Sequence, residues 1–175
     1  MSEVLFREVQ RFRQPWLWLL LLAGLLPAVL IIGVGVVEQI LLGRPFGDRP
    51  LPDGALLAVF ASVAAFAAVL LRLFHTARLV TEVRPDGLWV QFVPFHRVPR
   101  HIDGIATFAA RDYAPIREYG GWGLRWGGRR GWVYNVSGRR GVQLELRGGG
   151  KLLIGSGKPE ELERALARVL GVERP

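Results

Sequence analysis

Two uncharged apolar runs dominate the first half of the chain. No charged residue occurs from Pro15 to Val37, and none from Gly54 to Leu71. Each run is about as long as an α-helix must be to cross a hydrocarbon core of roughly 30 Å. Only a helix or a closed barrel satisfies its own backbone in lipid, so both runs are predicted to be transmembrane helices. Pro15 suits a first helical turn, and Trp16 and Trp18 suit the lipid–water boundary. Pro27 predicts a kink, and Gly24, Gly33 and Gly35 let a neighbour approach. The second run carries the small-residue pairs Ala61/Ala65 and Ala64/Ala68, which suit packing on those glycines or on another copy. Between the runs, residues 43–55 are rich in Gly, Pro and Asp and read as a loop. The first run exceeds a signal-peptide core of about 7–15 residues, and no small-x-small site follows Val37, so it is expected to remain as an anchor.

Ahead of the first run, Leu5, Val9 and Phe12 fall at i, i+4 and i+7, with Arg7 and Arg11 on the other side. Residues 1–14 are therefore expected to form an amphipathic helical segment, either lying on the membrane or extending the first span.

After His75 the apolar period changes from helical to two. Leu79–Arg84 and Leu88–Phe95 read as strands around a Pro85-Asp86-Gly87 turn, with Leu88, Val90 and Phe92 on one face. Further strands are expected at Ile105–Arg111, Trp122–Trp126, Trp132–Val136, 142–146 and Lys151–Gly155. A last helix begins at Pro159, presents Leu162, Ala165, Leu166 and Val169, and ends at Gly171. The predicted organisation is a two-helix transmembrane hairpin at 15–74 and a β-rich α+β domain at 75–175. About seven antiparallel strands capped by one C-terminal helix is the order of a pleckstrin-homology-like (PH-like) barrel.

Composition narrows the chemistry. Of 175 residues, roughly 100 follow the hairpin, enough for one small core. The absence of Cys excludes disulfides, thiol catalysis and Cys-ligated zinc. The formal net charge is +8, and Lys151 and Lys158 are the only lysines, so the basic charge is almost all arginine. Arg7, Arg11 and Arg13 precede the first run, and Arg72, Arg78 and Arg84 follow the second. In the connecting loop, Arg44 and Arg49 are offset by Asp48 and Asp53. The positive-inside bias then places both termini in the cytoplasm of a multi-pass cell-membrane protein.

Several motifs from Tyr113 onward are distinctive. They are Pro115-Ile116-Arg117-Glu118-Tyr119-Gly120-Gly121-Trp122-Gly123, Tyr134-Asn135-Val136-Ser137-Gly138 and Arg140-Gly141-Val142-Gln143-Leu144-Glu145-Leu146. Leu153-Ile154-Gly155-Ser156 and Pro159-Glu160-Glu161-Leu162 follow. With these the chain resembles an uncharacterised family of small prokaryotic membrane proteins with two spans and a bacterial PH-like domain. The resemblance implies that fold and a prokaryotic plasma membrane. It implies no activity.

The densest candidate chemistry lies between Arg111 and Arg140. Arg111, Arg117, Arg125, Arg129, Arg130, Arg139 and Arg140 face only Asp112 and Glu118 in acid, and Tyr119, Trp122 and Trp126 are interleaved. Such a face could bind anionic phospholipid headgroups, with Arg on phosphate and Trp in the interface, or an acidic protein segment. The plainer reading is a Gly-rich hairpin with solvated arginines and aromatic residues in the core. Gly120-Gly121-Trp122-Gly123 lacks the spacing and context of a phosphate-binding loop. His75, His96 and His101 form no zinc pattern, and Ser62, Ser137 and Ser156 lack a nucleophile-elbow context. No catalytic residue, metal or cofactor is expected, and the membrane tether argues against nucleic acid. The expected function is non-enzymatic binding of an anionic membrane surface or protein partner. The alternatives are an assembly subunit acting through homo-oligomerisation and an enzyme of unknown class.

Overall fold

In the computed structural model, which describes residues 4–171, the chain divides into two units. One is the helical segment Arg13–His75; the other joins the N-terminal residues through Phe12 to everything from Thr76 onward.

The helical unit holds α1 (Pro15–Val36), which runs through Pro27 and ends in a π-helical turn at Val37–Leu41, and α2 (Asp53–Thr76). Both helices are long and apolar enough to cross a membrane, and only 6% and 11% of their most apolar windows are buried. That exposure is the opposite of a soluble core helix. Gly33 faces the Phe60 ring of α2: a Cβ there would lie 3.3 Å from it. Gly35 receives Phe46 from the connecting loop, where a Cβ would lie 2.6 Å from the ring. Within the chain, Gly33 and Gly35 thus admit aromatic rings rather than the alanine pairs, and a Cβ at Gly24 would meet nothing within 4 Å. Ala61, Ala65 and Ala68 face outward, while Leu56 and Ala67 are buried. Gln39 fastens the loop by donating to the Leu51 carbonyl and to Asp53, each at 2.7 Å.

Among its described residues, the other unit contains nine strands in two sheets. The first has the order β1-β2-β3-β4, from Phe6–Arg11, Arg78–Arg84, Gly87–Val93 and Arg100–Ile102. The second has the order β5-β8-β9-β7-β6. Here β5 is Ile105–Asp112, β6 Gly123–Trp126, β7 Trp132–Asn135, β8 Arg140–Leu146 and β9 Lys151–Gly155. A short helix α3 (Pro115–Tyr119) follows β5, and α4 (Pro159–Leu170) ends the described chain. The sheets do not close into the expected seven-strand antiparallel barrel. Instead β7 runs parallel to β9, with Trp132 beside Leu152.

The expected helix before the first span is a strand. In β1, Phe6 and Gln10 point inward, while Arg7, Val9 and Arg11 are exposed. The inward polar positions hide the two-residue period, because Glu8 and Gln10 stand where apolar residues would announce a strand. They are satisfied far along the chain. Gln10 donates to the Gly155 carbonyl at 2.7 Å, and Glu8 accepts from Ser156 Oγ at 2.5 Å and the Gly157 N–H at 2.8 Å. Ser156 Oγ in turn accepts the Lys158 N–H at 2.9 Å, so β1 is tied to the start of α4. The two-helix hairpin is therefore an insertion in the β1–β2 connection, and the domain expected at 75–175 also requires Phe6–Arg11.

Alternation explains the core. Leu79 and Val83 of β2, Leu88, Val90 and Phe92 of β3, and Val142 and Leu144 of β8 are buried. So are Leu162, Ala165 and Leu166 of α4, which packs on strands of both sheets. Truncating a fully buried Leu of this kind typically costs about 2–5 kcal/mol.

Candidate functional site

Pro115, fixed in φ and needing no hydrogen-bond acceptor, opens α3 directly after β5, and Gly120, at φ 73°, closes it in the left-handed conformation. This tight excursion buries Tyr119 against Tyr113, Val133 and Leu153. The two phenol rings meet edge to face at 6.2 Å. Burial pushes both phenols above their ordinary pKa, and the Asn135 amide, donating to Tyr113 at 3.1 Å, pulls Tyr113 partly back.

One wall of the site is a polar network. Arg111 donates to Glu118 at 3.0 Å and to Gln143 at 3.0 Å, and the Ala114 N–H donates to Glu118 at 2.7 Å. Burial of Glu118 would raise its pKa, but the Ala114 N–H and Arg111 outweigh this and hold it below the ordinary value. Arg140 bridges Asp112, at 3.1 Å, and Glu160. The acids of this region are thereby neutralised by Arg111 and Arg140.

Beyond the wall lies an open cleft of about 720 Å³ whose lining includes Tyr113, Arg117, Arg130 and Arg139. Arg117 and Arg139 are exposed and form no ion pair among the described residues. Arg130 gives one long hydrogen bond, 3.4 Å, to the Glu118 carbonyl. Three guanidinium groups with spare donors thus surround one cavity, an arrangement suited to a bidentate oxyanion such as phosphate or carboxylate.

The ten residues proposed from sequence therefore separate. Arg117, Arg130 and Arg139 meet at the cleft. Arg111 and Arg140 are structural ion-pair partners, and Tyr119 belongs to the core. Trp122 donates to the Gly138 carbonyl at 3.2 Å, and Arg125 donates to the Trp122 carbonyl at 2.9 Å. Arg129 stands exposed in the Gly128–Arg130 turn, outside the cleft lining.

Trp126 goes elsewhere. Its ring lies 5.4 Å from that of Trp132, and the pair, 58% and 47% exposed, borders a second groove of about 470 Å³. This groove separates β4 from the β6–β7 edge of the second sheet, and its lining includes His96, Arg100 and Lys151. Sequence reasoning missed those three because they come from distant segments without a shared motif.

The chain thus combines two helices of membrane-spanning length and hydropathy with a β-rich unit of two sheets and a C-terminal helix, in which a cleft lined by three arginines adjoins α3. It belongs to a family of unknown function, DUF6141, which matches residues 1–171. No curated protein and no solved structure matches it.

Proposed function

We propose that this is a two-span protein of a prokaryotic cell membrane whose PH-like cytoplasmic domain binds anionic phospholipid headgroups without catalysis. The observation that carries the reading is the convergence of Arg117, Arg130 and Arg139 on one cleft whose own acids are committed to other arginines. Two sheets with a helix packed on strands of both support the PH-like assignment. The pairing of β1 with β2 supports a common side for the segments flanking the hairpin, because Arg11 and Arg78 are ladder partners. The arginine bias of those flanks favours the cytoplasmic side.

Binding is tested with the full-length chain in non-ionic micelles, titrated with short-chain phosphatidylglycerol and phosphatidylcholine. Phosphatidylglycerol should bind and be released by salt, as expected for a charge contact. The pair Arg117→Glu and Arg139→Glu should weaken it about tenfold or more, since each lost charged hydrogen bond is worth about 1.5–3 kcal/mol. Arg129→Glu should change little. Equal loss from Arg129→Glu, or equal binding of phosphatidylcholine, would overturn the reading.

The second groove favours one rival. Exposed Trp126 and Trp132 between two sheet edges fit a protein segment better than a headgroup. Capture of a partner lost on Trp126→Ala but not on Arg117→Glu would favour that reading.

A further inference from the structure

We propose that the Pro94–Pro99 turn, carrying Phe95 and Val98, is a contact surface that enters the interfacial layer of an anionic bilayer. This rests on the reading of α1 and α2 as membrane spans, but concerns a surface other than the arginine cleft.

The ladder register locates the turn. Arg11 of β1 stands opposite Arg78 of β2, and Arg78 opposite Val93 of β3. The turn therefore leaves the same end of the first sheet as the chain passing to α1 and returning from α2. Pro15 begins α1 four positions after Arg11, and Thr76 ends α2 two positions before Arg78. At no more than about 3.6 Å per residue, these tethers reach at most about 14 Å and 7 Å. Chain length alone thus keeps this sheet end near the headgroup layer of any bilayer that the helices cross.

The side chains fit that layer. Phe95 is 60% and Val98 75% exposed, in a turn that is itself fixed. The His96 N–H donates to the Phe92 carbonyl at 2.7 Å, the Gln91 amide donates to the Arg97 carbonyl, and Phe95 stacks on buried Phe92 at 5.6 Å. Exposed apolar side chains on a held turn can reach into lipid without costly ordering.

The surrounding charge argues for an anion. Arg11 and Arg78 are exposed like charges directly opposite each other, a pairing that destabilises a ladder. Neither they nor Arg97 form an ion pair among the described residues. An anionic lipid surface relieves the repulsion and attracts each exposed arginine by about 1 kcal/mol.

The chain contains no cysteine, so single cysteines can carry a polarity-sensitive fluorophore without background labelling. Full-length Phe95→Cys, Val98→Cys and Pro85→Cys proteins are placed in phosphatidylglycerol nanodiscs containing a lipid with a shallow nitroxide quencher. Pro85 lies in the turn at the opposite end of β2 and β3. Labels at 95 and 98 should be quenched several-fold more than at 85, and Arg78→Glu with Arg97→Glu should reduce the difference. Equal quenching at all three positions overturns the proposal, as does a partner protein shielding position 95 in place of lipid. A label at Ala64→Cys, in mid-α2, with a deep quencher checks the spanning assumption separately. Quenching there without quenching at 95 defeats this contact alone, and no quenching at 64 defeats the membrane reading itself. Neither result depends on headgroup binding at Arg117 and Arg139.

Discussion

Glu118 joins the cleft wall to the stability of the domain. Its carboxylate accepts from the Ala114 N–H and from Arg111, and these outweigh burial to keep its folded pKa below the ordinary carboxylate value. A depressed folded pKa adds stability above the unfolded pKa of about 4.3, and this is lost as pH falls through the folded value. Glu118→Gln should therefore cost roughly 1 kcal/mol near neutral pH, the difference between a charged and a neutral hydrogen bond. In thermal unfolding followed by circular dichroism, the deficit should shrink as acid protonates the parent protein. A deficit independent of pH would show that the carboxylate charge is not what holds α3. Gly141 shows another constraint at this scale: a Cβ there would strike the Ile154 carbonyl oxygen across the β8–β9 ladder.

Among the elements, β1 has the largest consequence. It supplies the outer neighbour of β2 and fastens the β9–α4 connection through Glu8 and Gln10. A shortened chain starting at Ala77 lacks all of this and exposes an unpaired β2 edge. It should be poorly folded or aggregate. A chain in which residues 13–76 are replaced by Asn-Gly, joining Phe12 to Ala77, should fold, because a two-residue type I′ turn suits the antiparallel Arg11–Arg78 register. Cooperative melting of the joined chain, and its absence in the shortened one, is the expected contrast. Equal stability of the two would show β1 to be dispensable.

For the whole molecule, the inserted hairpin makes sidedness a single question. Segments that share the β1–β2 ladder cannot lie on opposite sides of a bilayer. With cytoplasmic flanks, Asp48→Cys in the connecting loop should react with an impermeant thiol reagent in intact cells, and exposed Arg147→Cys should not. Reversed labelling would place the arginine cleft outside. Labelling of both without lysis would mean that the helices do not span.

Local pattern by itself determined the elements that are long uncharged runs or that carry one apolar face. The two uncharged runs became α1 and α2, the alternation of Leu88, Val90 and Phe92 became β3, and the stripe of Leu162, Ala165 and Leu166 became α4. Length without charge reveals the two runs, and the period of the buried apolar residues reveals β3 and α4. Tertiary structure decided β1, because Glu8 and Gln10 are inward polar residues whose hydrogen-bond partners lie near Gly155, 145 positions beyond Gln10. It decided the short β4 and α3, which are too brief to show a period. It also sorted the arginines. Charge counting cannot distinguish Arg111, held by Glu118 and Gln143, from Arg117, left with free donors in a cleft. That difference arises only when folding brings the acids of one segment to the arginines of another, because the energy of a charge depends on its neighbours in space.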